Sequence, residues 1–240
     1  MRDPSQAGKL RVAYGDHLDK LFLSFKEDLT KRLGVREMAE PSSTATAIAE
    51  AQIKYSIEVN IRLPARRIIQ TDITKAYMAG AQRGITFLQA LGVKTTYNPM
   101  PVDQKVVSIL EQRNLADLDG ITQAMSTDIM RKMSDGVLDG RGIESIARDI
   151  DESIDGIGRD RARLLARTET MTAFNRAAKT QYEKVGVDEV EWYTSHLENV
   201  CGGCEALDGK RFPINEAPPC PYHPNCPCLL LPVIETGVRG

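Results

Sequence analysis

All five cysteines of the chain, and one of its three histidines, fall between Cys201 and Cys228. Nothing else in the sequence constrains folding as tightly. Cys201-Gly202-Gly203-Cys204 is a CxxC knuckle, in which two thiolates reach one ion and the glycines let the backbone turn closely around it. The second half is Cys220-Pro221-Tyr222-His223-Pro224-Asn225-Cys226-Pro227-Cys228. The two halves offer more donors than the four a tetrahedral structural site takes, and thiolate with imidazole selects zinc among the common metals. Cys201 and Cys204 are the first ligands to expect, then His223, then one of Cys226 and Cys228, with Cys220 spare. Pro221, Pro224 and Pro227 stiffen the second half, so less entropy is lost when a metal binds. Such a site contributes on the order of 10 kcal/mol of apparent binding energy to a lobe too short for a large core.

Other chemistries fit less well. A secreted disulfide framework spreads its cysteines and pairs them evenly, whereas these are odd in number and confined. Met1 to Leu10 has no apolar stretch of the secretory kind, so a reducing cytoplasm is the expected compartment. A thioredoxin-like CxxC needs its first cysteine at a helix N-terminus. Here Asp208-Gly209 instead signals a hairpin between Ala206-Leu207 and Arg211-Phe212. Catalytic zinc lacks its signatures: there is no HExxH and no HxE ahead of a PCxxC. A metal-dependent HNH nuclease needs further histidines. His196 is the nearest, and it is expected to face solvent at a strand end.

The rest of the chain reads as mainly helical. Aromatic residues are only 5% of the total, and Ala, Leu, Ile and Met predominate in the apolar set. Residues 1–15 read as a flexible arm. A helix opens at Asp16 with Leu18, Leu21, Phe22, Phe25, Leu29 and Leu33 on one face and Gly34 as its cap. From Ile53 to Leu63 apolar and polar residues alternate, which predicts a strand at 52–63 and, with no nearby partner, interchain pairing into a homo-oligomer. Pro64 opens a helix to about Leu91, with Ile69, Ile73, Tyr77, Gly80, Gly84 and Leu88 as its spine. Residues 95–101 read as a linker, giving an N-terminal helical region over 1–100 and a second domain over 101–240. That domain has helices at 103–115, 119–138 and 143–154, then a long one from Arg159 to Val185 with Leu164, Thr168, Met171, Phe174, Ala178 and Tyr182 inward. A β lobe over 189–235 holds strands around Val190–Thr194 and Leu229–Ile234. The fold class is therefore mainly α with a small C-terminal zinc-binding β lobe. No apolar run approaches the ~20 residues of a membrane span.

The order of the motifs goes further than their spacing. Ala166-Arg167-Thr168-Glu169-Thr170, Phe174-Asn175-Arg176-Ala177, Gly186-Val187 and Trp192 lead into the CxxC, Leu207-Asp208-Gly209 and His223-Pro224-Asn225-Cys226-Pro227-Cys228. From about Val102 to Ile234 this resembles the phage Mu protein F-like family of head morphogenesis proteins, also called minor head or minor capsid proteins. The family usually has Arg where this chain has Pro227, and Cys220 is an additional cysteine. Residues 1–100 match no motif of it. The resemblance implies a non-enzymatic role in a tailed-virus head, in the host cytoplasm during assembly and then in the virion. Portal protein and capsid components are the implied partners, together with packaged double-stranded DNA.

A net charge of −2 supplies no global field for nucleic acid, so any DNA contact must be local. Arg159, Arg161 and Arg163, with Arg167, are the candidate phosphate contacts. Asp160 and Glu169 dilute that cluster, which favours a solvated helix face. Arg167 and Glu169 are read either as partner contacts or, more simply, as the residues that dock the long helix onto the zinc lobe. A DNA-binding zinc module and a metal-dependent nuclease are the alternative functions.

Overall fold

The computed structural model describes residues 7–32, 43–95, 103–194 and 200–234. Helix α1 is Gly8–Arg32. Helix α2, Ser43–Ile57, continues through a π-helical segment, Glu58–Arg62, into α3, Leu63–Ala90. Helix α4 is Gln104–Leu138. Helix α5, Ile143–Ser153, continues through a second π-helical segment, Ile154–Asp160, into α6, Arg161–Lys184. Strand β1 (Glu189–Tyr193), the one-turn helix α7 (Gly202–Glu205), β2 (Arg211–Pro213) and β3 (Leu229–Val233) complete the order. The expected class, mainly helical with a small β lobe near the C-terminal end, is the observed one. No described helix is long and apolar enough to cross a membrane.

Three local expectations are corrected. The segment read as an arm is helical from Gly8, and Ala7 and Tyr14 are buried. The two helices expected at 103–115 and 119–138 are one, because Val107, Leu110, Asn114, Leu118, Thr122, Met125, Ile129 and Met133 are buried at unbroken three- and four-residue steps. The strand expected at 52–63 is helix. Its alternation consists of two interleaved rows four residues apart: Ile53, Ile57 and Ile61 face inward, while Tyr55, Val59 and Leu63 are 54%, 40% and 57% exposed. With no strand there, its proposed interchain pairing loses its basis. The linker at 95–101 lies largely outside the described residues, as do Leu33, Gly34 and His196.

The chain forms two compact units, each made of separate stretches. One comprises Tyr14–Ile69 and Glu111–Ala166; the other comprises Met1–Ala13, Gln70–Leu110 and Arg167–Gly240. In the first, Leu18, Phe22, Phe25 and Leu29 of α1 are buried, as are Ile53, Ile57 and Ile61 and, in α4 and α5, Met125, Ile129, Ile146 and Ile150. Gly158 in the second π segment leaves room for this core: a Cβ there would stand 2.6 Å from the Phe22 ring and 2.9 Å from the Met125 sulfur. Side-chain pairs join the helices. Asp19 takes Arg159 at 2.7 Å and Arg163 at 3.0 Å. Asp28 accepts from Ser56 at 2.6 Å and Asn60 at 3.0 Å, and Tyr14 donates to Asn114 at 3.0 Å.

The second unit carries the sheet, antiparallel in the order β2-β1-β3. Glu191 lies opposite Arg211 on one side and Leu231 on the other. Val190 and Trp192 point into a core shared with Leu88, Tyr182, Ile214 and Leu230. Helix α3 meets α6 almost backbone to backbone, since a Cβ on Gly80 would overlap the main chain of Phe174 and one on Gly84 would crowd Ala178. The Asp208-Gly209 signal marks a real turn but with a different partner. Gly209 has φ +73° and donates its N–H to Trp192 O at 2.8 Å, while Asp208 Oδ1 accepts from Thr194 N–H at 2.8 Å. Strand β2 therefore pairs with β1, and Ala206-Leu207 belongs to the turn that follows α7.

Candidate metal centre

Two short loops bring the donors together. In the first, Cys201 caps α7 and its Sγ accepts the Cys204 N–H at 3.3 Å, the bond that makes a CxxC a knuckle. The helical turn Gly202–Glu205 follows Cys201 directly, and Ala206-Leu207 forms a turn and not the expected hairpin arm, so the hairpin argument against a redox CxxC does not hold; the surrounding donors decide instead. In the second, Cys226 N–H donates to His223 O at 3.1 Å and Asn225 sits at φ +62°. Pro224 and Asn225 thus occupy the two central positions of a turn of type II pattern, Pro with its fixed φ and Asn tolerating the left-handed conformation. That turn brings His223 and Cys226 to the same side.

Five side chains converge. The ligand atoms of Cys201, Cys204 and His223 lie within 4.8 Å of one another, as do those of Cys204, Cys226 and Cys228, with Cys204 common to both groups. Cys201 Sγ is 3.2 Å from His223 Nε2, and Cys204 Sγ is 3.6 Å from Cys226 Sγ. Tetrahedral zinc with 2.3 Å bonds to sulfur separates two thiolates by about 3.8 Å. A cavity of about 100 Å³ opens among Cys201, Cys204, His223 and Cys228, beside Pro224 and Asn225. His223 Nδ1 donates to Pro224 O at 2.9 Å, which leaves Nε2 as the free lone pair facing the sulfurs. Metal-bound histidines are oriented in this way. Cys220 is outside the group: its Sγ–H donates to Cys228 O at 3.1 Å and accepts from Asn175 Nδ2 at 3.4 Å.

The electrostatics follow from crowding sulfurs without a cation. A hydrogen bond from Cys228 holds Cys226 down to about 5, and the same bond pushes Cys228 up. Burial raises Cys204 to about 12 and raises Cys220 well above the ordinary range. The Cys204 N–H lowers Cys201. For His223, burial pulls downward but is outweighed by the bond to Pro224 O and by the neighbouring Cys226 and Cys201, so its pKa is raised. Cys226 is thus held low among neighbouring thiols that burial and mutual repulsion push up. A divalent cation would let the others ionise as well, and that is the chemistry this donor set fits.

Helix α6 holds the second loop through three residues seven apart, hence on one stripe. Thr168 Oγ1 accepts from Asn225 N–H at 2.9 Å, Asn175 Nδ2 donates to Cys228 O at 3.0 Å, and Tyr182 Oη donates to Leu230 O at 3.2 Å. Trp192 N–H, opposite Leu230, donates to Lys210 O instead, so the Leu230 carbonyl faces away from β1. Tyr182 thereby satisfies the Leu230 carbonyl on the outer edge of β3, while Thr168 and Asn175 bond the loop that leads into it. Thr168, between Arg167 and Glu169, and Asn175 bond the lobe from this helix. Arg167 is exposed and Glu169 is buried. Thr168 and Tyr182 were legible as inward positions of the helix and Asn175 as part of a motif, but their common role needed the strand beside them.

Of the three arginines expected to meet phosphates, Arg161 is exposed. Arg159 pairs with Asp19 and Asp155, and Arg163 with Asp19 and Asp160. Residues 127–231 match the family model described as Phage Mu protein F like protein. That match bears out the resemblance read from the motifs and spans every candidate ligand. No curated protein and no solved structure matches the chain.

Proposed function

We propose that this chain, which carries a phage Mu protein F-like segment over residues 127–231, is a non-enzymatic minor head protein of a tailed virus. It acts in head morphogenesis through contacts with portal and capsid subunits, in the host cytoplasm during assembly and then in the virion. The observation that carries the reading is the family segment with its cysteine–histidine group gathered at one place.

Zinc is the group the donors fit, held by Cys201, Cys204, His223 and one of Cys226 and Cys228. When bound, it supplies cross-linking and charge neutralisation between the two short segments that carry the donors. The residues do the rest. The 201–204 knuckle and the 223–226 turn present their donors, and the α6 stripe fixes the strand that follows. Five protein donors for four positions leave no open place for a reactive water, which supports a structural site over nuclease chemistry. DNA is the less favoured partner, because Arg159 and Arg163 already have carboxylates.

Quantitative mass spectrometry of purified particles, counting this chain against the portal protein, tests the proposal. A low, fixed ratio is expected. Absence from mature particles would remove the virion role and leave a transient assembly factor or an enzyme.

A further inference from the structure

The start of α1 lies outside the family-matched segment, yet it packs into the metal lobe. Ala7 is 0% exposed and clusters with Met171, Phe174 and Leu229. One turn on, Arg11 Nη2 donates to Asn225 Oδ1 at 2.7 Å. Asn225 is the residue on which the His223–Cys226 turn depends, because its left-handed φ of +62° closes the loop. Its main-chain N–H is taken by Thr168 of α6 at 2.9 Å, and its side chain by Arg11 of α1. The turn between two candidate ligands is therefore pinned from two helices. A side-chain amide oxygen engaged by a guanidinium is less available to compete for the loop's own main chain than that of a free Asn.

We infer that Arg11 is a positioning residue of the metal centre: by tethering Asn225 it presets His223 and Cys226 to bind the same ion. The inference rests on the zinc reading above and extends it to a residue outside the candidate donor set. Groups that orient metal-binding loops from outside the coordination shell typically change metal affinity by about 10–100-fold. An arginine at partial exposure belongs near the lower end of that range.

The test uses the full chain and measures zinc affinity by competition with a chromogenic chelator, with cobalt(II) as a spectroscopic stand-in. Arg11→Ala is expected to weaken zinc binding about tenfold. Its cobalt spectrum at saturation should keep the wild-type sulfur-to-metal bands, since the ligands themselves are unchanged. Arg11→Lys retains a donor and should recover part of the loss. Asn225→Gly keeps the left-handed turn but removes Oδ1. It should weaken binding about as much as Arg11→Ala, and the double variant should lose little more. That coupling is what a merely structural role of Arg11 would not produce, and Asn225→Gly carries the test if Arg11→Ala does not fold. Equal zinc affinity in wild type and in both single variants, or additive losses in the double, overturns the inference while leaving the metal site standing. Failure of the wild-type chain to bind zinc or cobalt overturns the zinc reading and this inference with it.

Discussion

The two compact units solve the same problem, polar groups away from water, in opposite ways. In the unit of Tyr14–Ile69 and Glu111–Ala166, helices satisfy their own main chain, so polar side chains mostly pair with one another: Asp19 with Arg159 and Arg163, Asp28 with Ser56 and Asn60, Ser153 with Asp128. In the unit that holds the cysteines, loops and a strand edge leave main-chain groups unpaired, and side chains turn to those instead. Thr168, Asn175 and Tyr182 each bond the backbone, and Cys220 joins them at Cys228 O. The lesson is that irregular backbone recruits polar side chains to itself, and what remains to close such a lobe is a cross-link.

The sharpest way to break that comparison is to remove the cross-link. Chelation of the zinc-loaded protein, or Cys204→Ser, should loosen the cysteine-bearing lobe by a large part of the roughly 10 kcal/mol of apparent metal-binding energy. Trp192, the single tryptophan, is fully buried there, so its emission should shift to the red while most of the far-UV helical signal persists. Unchanged Trp192 emission after complete metal removal would mean that the lobe stands on its hydrogen bonds alone.

A middling effect belongs to the helical unit. Asp19→Asn removes a carboxylate bonded to two arginines and should cost about 2 kcal/mol in chemical denaturation. The bond from Arg159 holds the Asp19 carboxyl below its ordinary value. Its stabilising contribution is therefore complete above the unfolded pKa of about 3.9 and is lost as pH falls through the lower folded value. Wild type should accordingly lose stability more steeply than Asp19→Asn below about pH 4. Zinc affinity in the variant should be that of wild type, and any coupled loss would show that the units do not behave separately.

The smallest effect separates ligand from scaffold. Cys220→Ser should cost about 1 kcal/mol, the scale of one neutral hydrogen bond. Metal content should be unchanged, because Cys220 points at Cys228 O rather than at the other sulfurs. A drop to substoichiometric zinc would move Cys220 into the coordination set.

Legibility in the sequence tracked how local the determinant was. The cysteine knuckle, the helix faces of Leu18 to Leu29 and Met125 to Met133, and the strand at Leu229 are set by residues a few positions apart, and all were readable. The 53–63 segment misled because apolar residues lie on both its buried and its exposed rows, and the π-helical segment Glu58–Arg62 lies within it. The start of α1 was missed because what covers Ala7 is more than 160 residues away in sequence. Separations of 48 to 57 residues hid the Thr168–Asn175–Tyr182 stripe, whose polar residues declare a purpose only beside β3.

The bond between Arg11 and Asn225 joins residues 214 apart. On a ribosome, where synthesis proceeds at about 5–20 residues per second, its first partner waits roughly ten to forty seconds for the second to be made. For most of that interval Ala7 lacks Met171, Phe174 and Leu229, which cover it, and the α6 stripe, once made, still waits for the carbonyls it bonds. The cysteine-bearing lobe thus closes late in biosynthesis, long after the start of α1 that it draws on has been made.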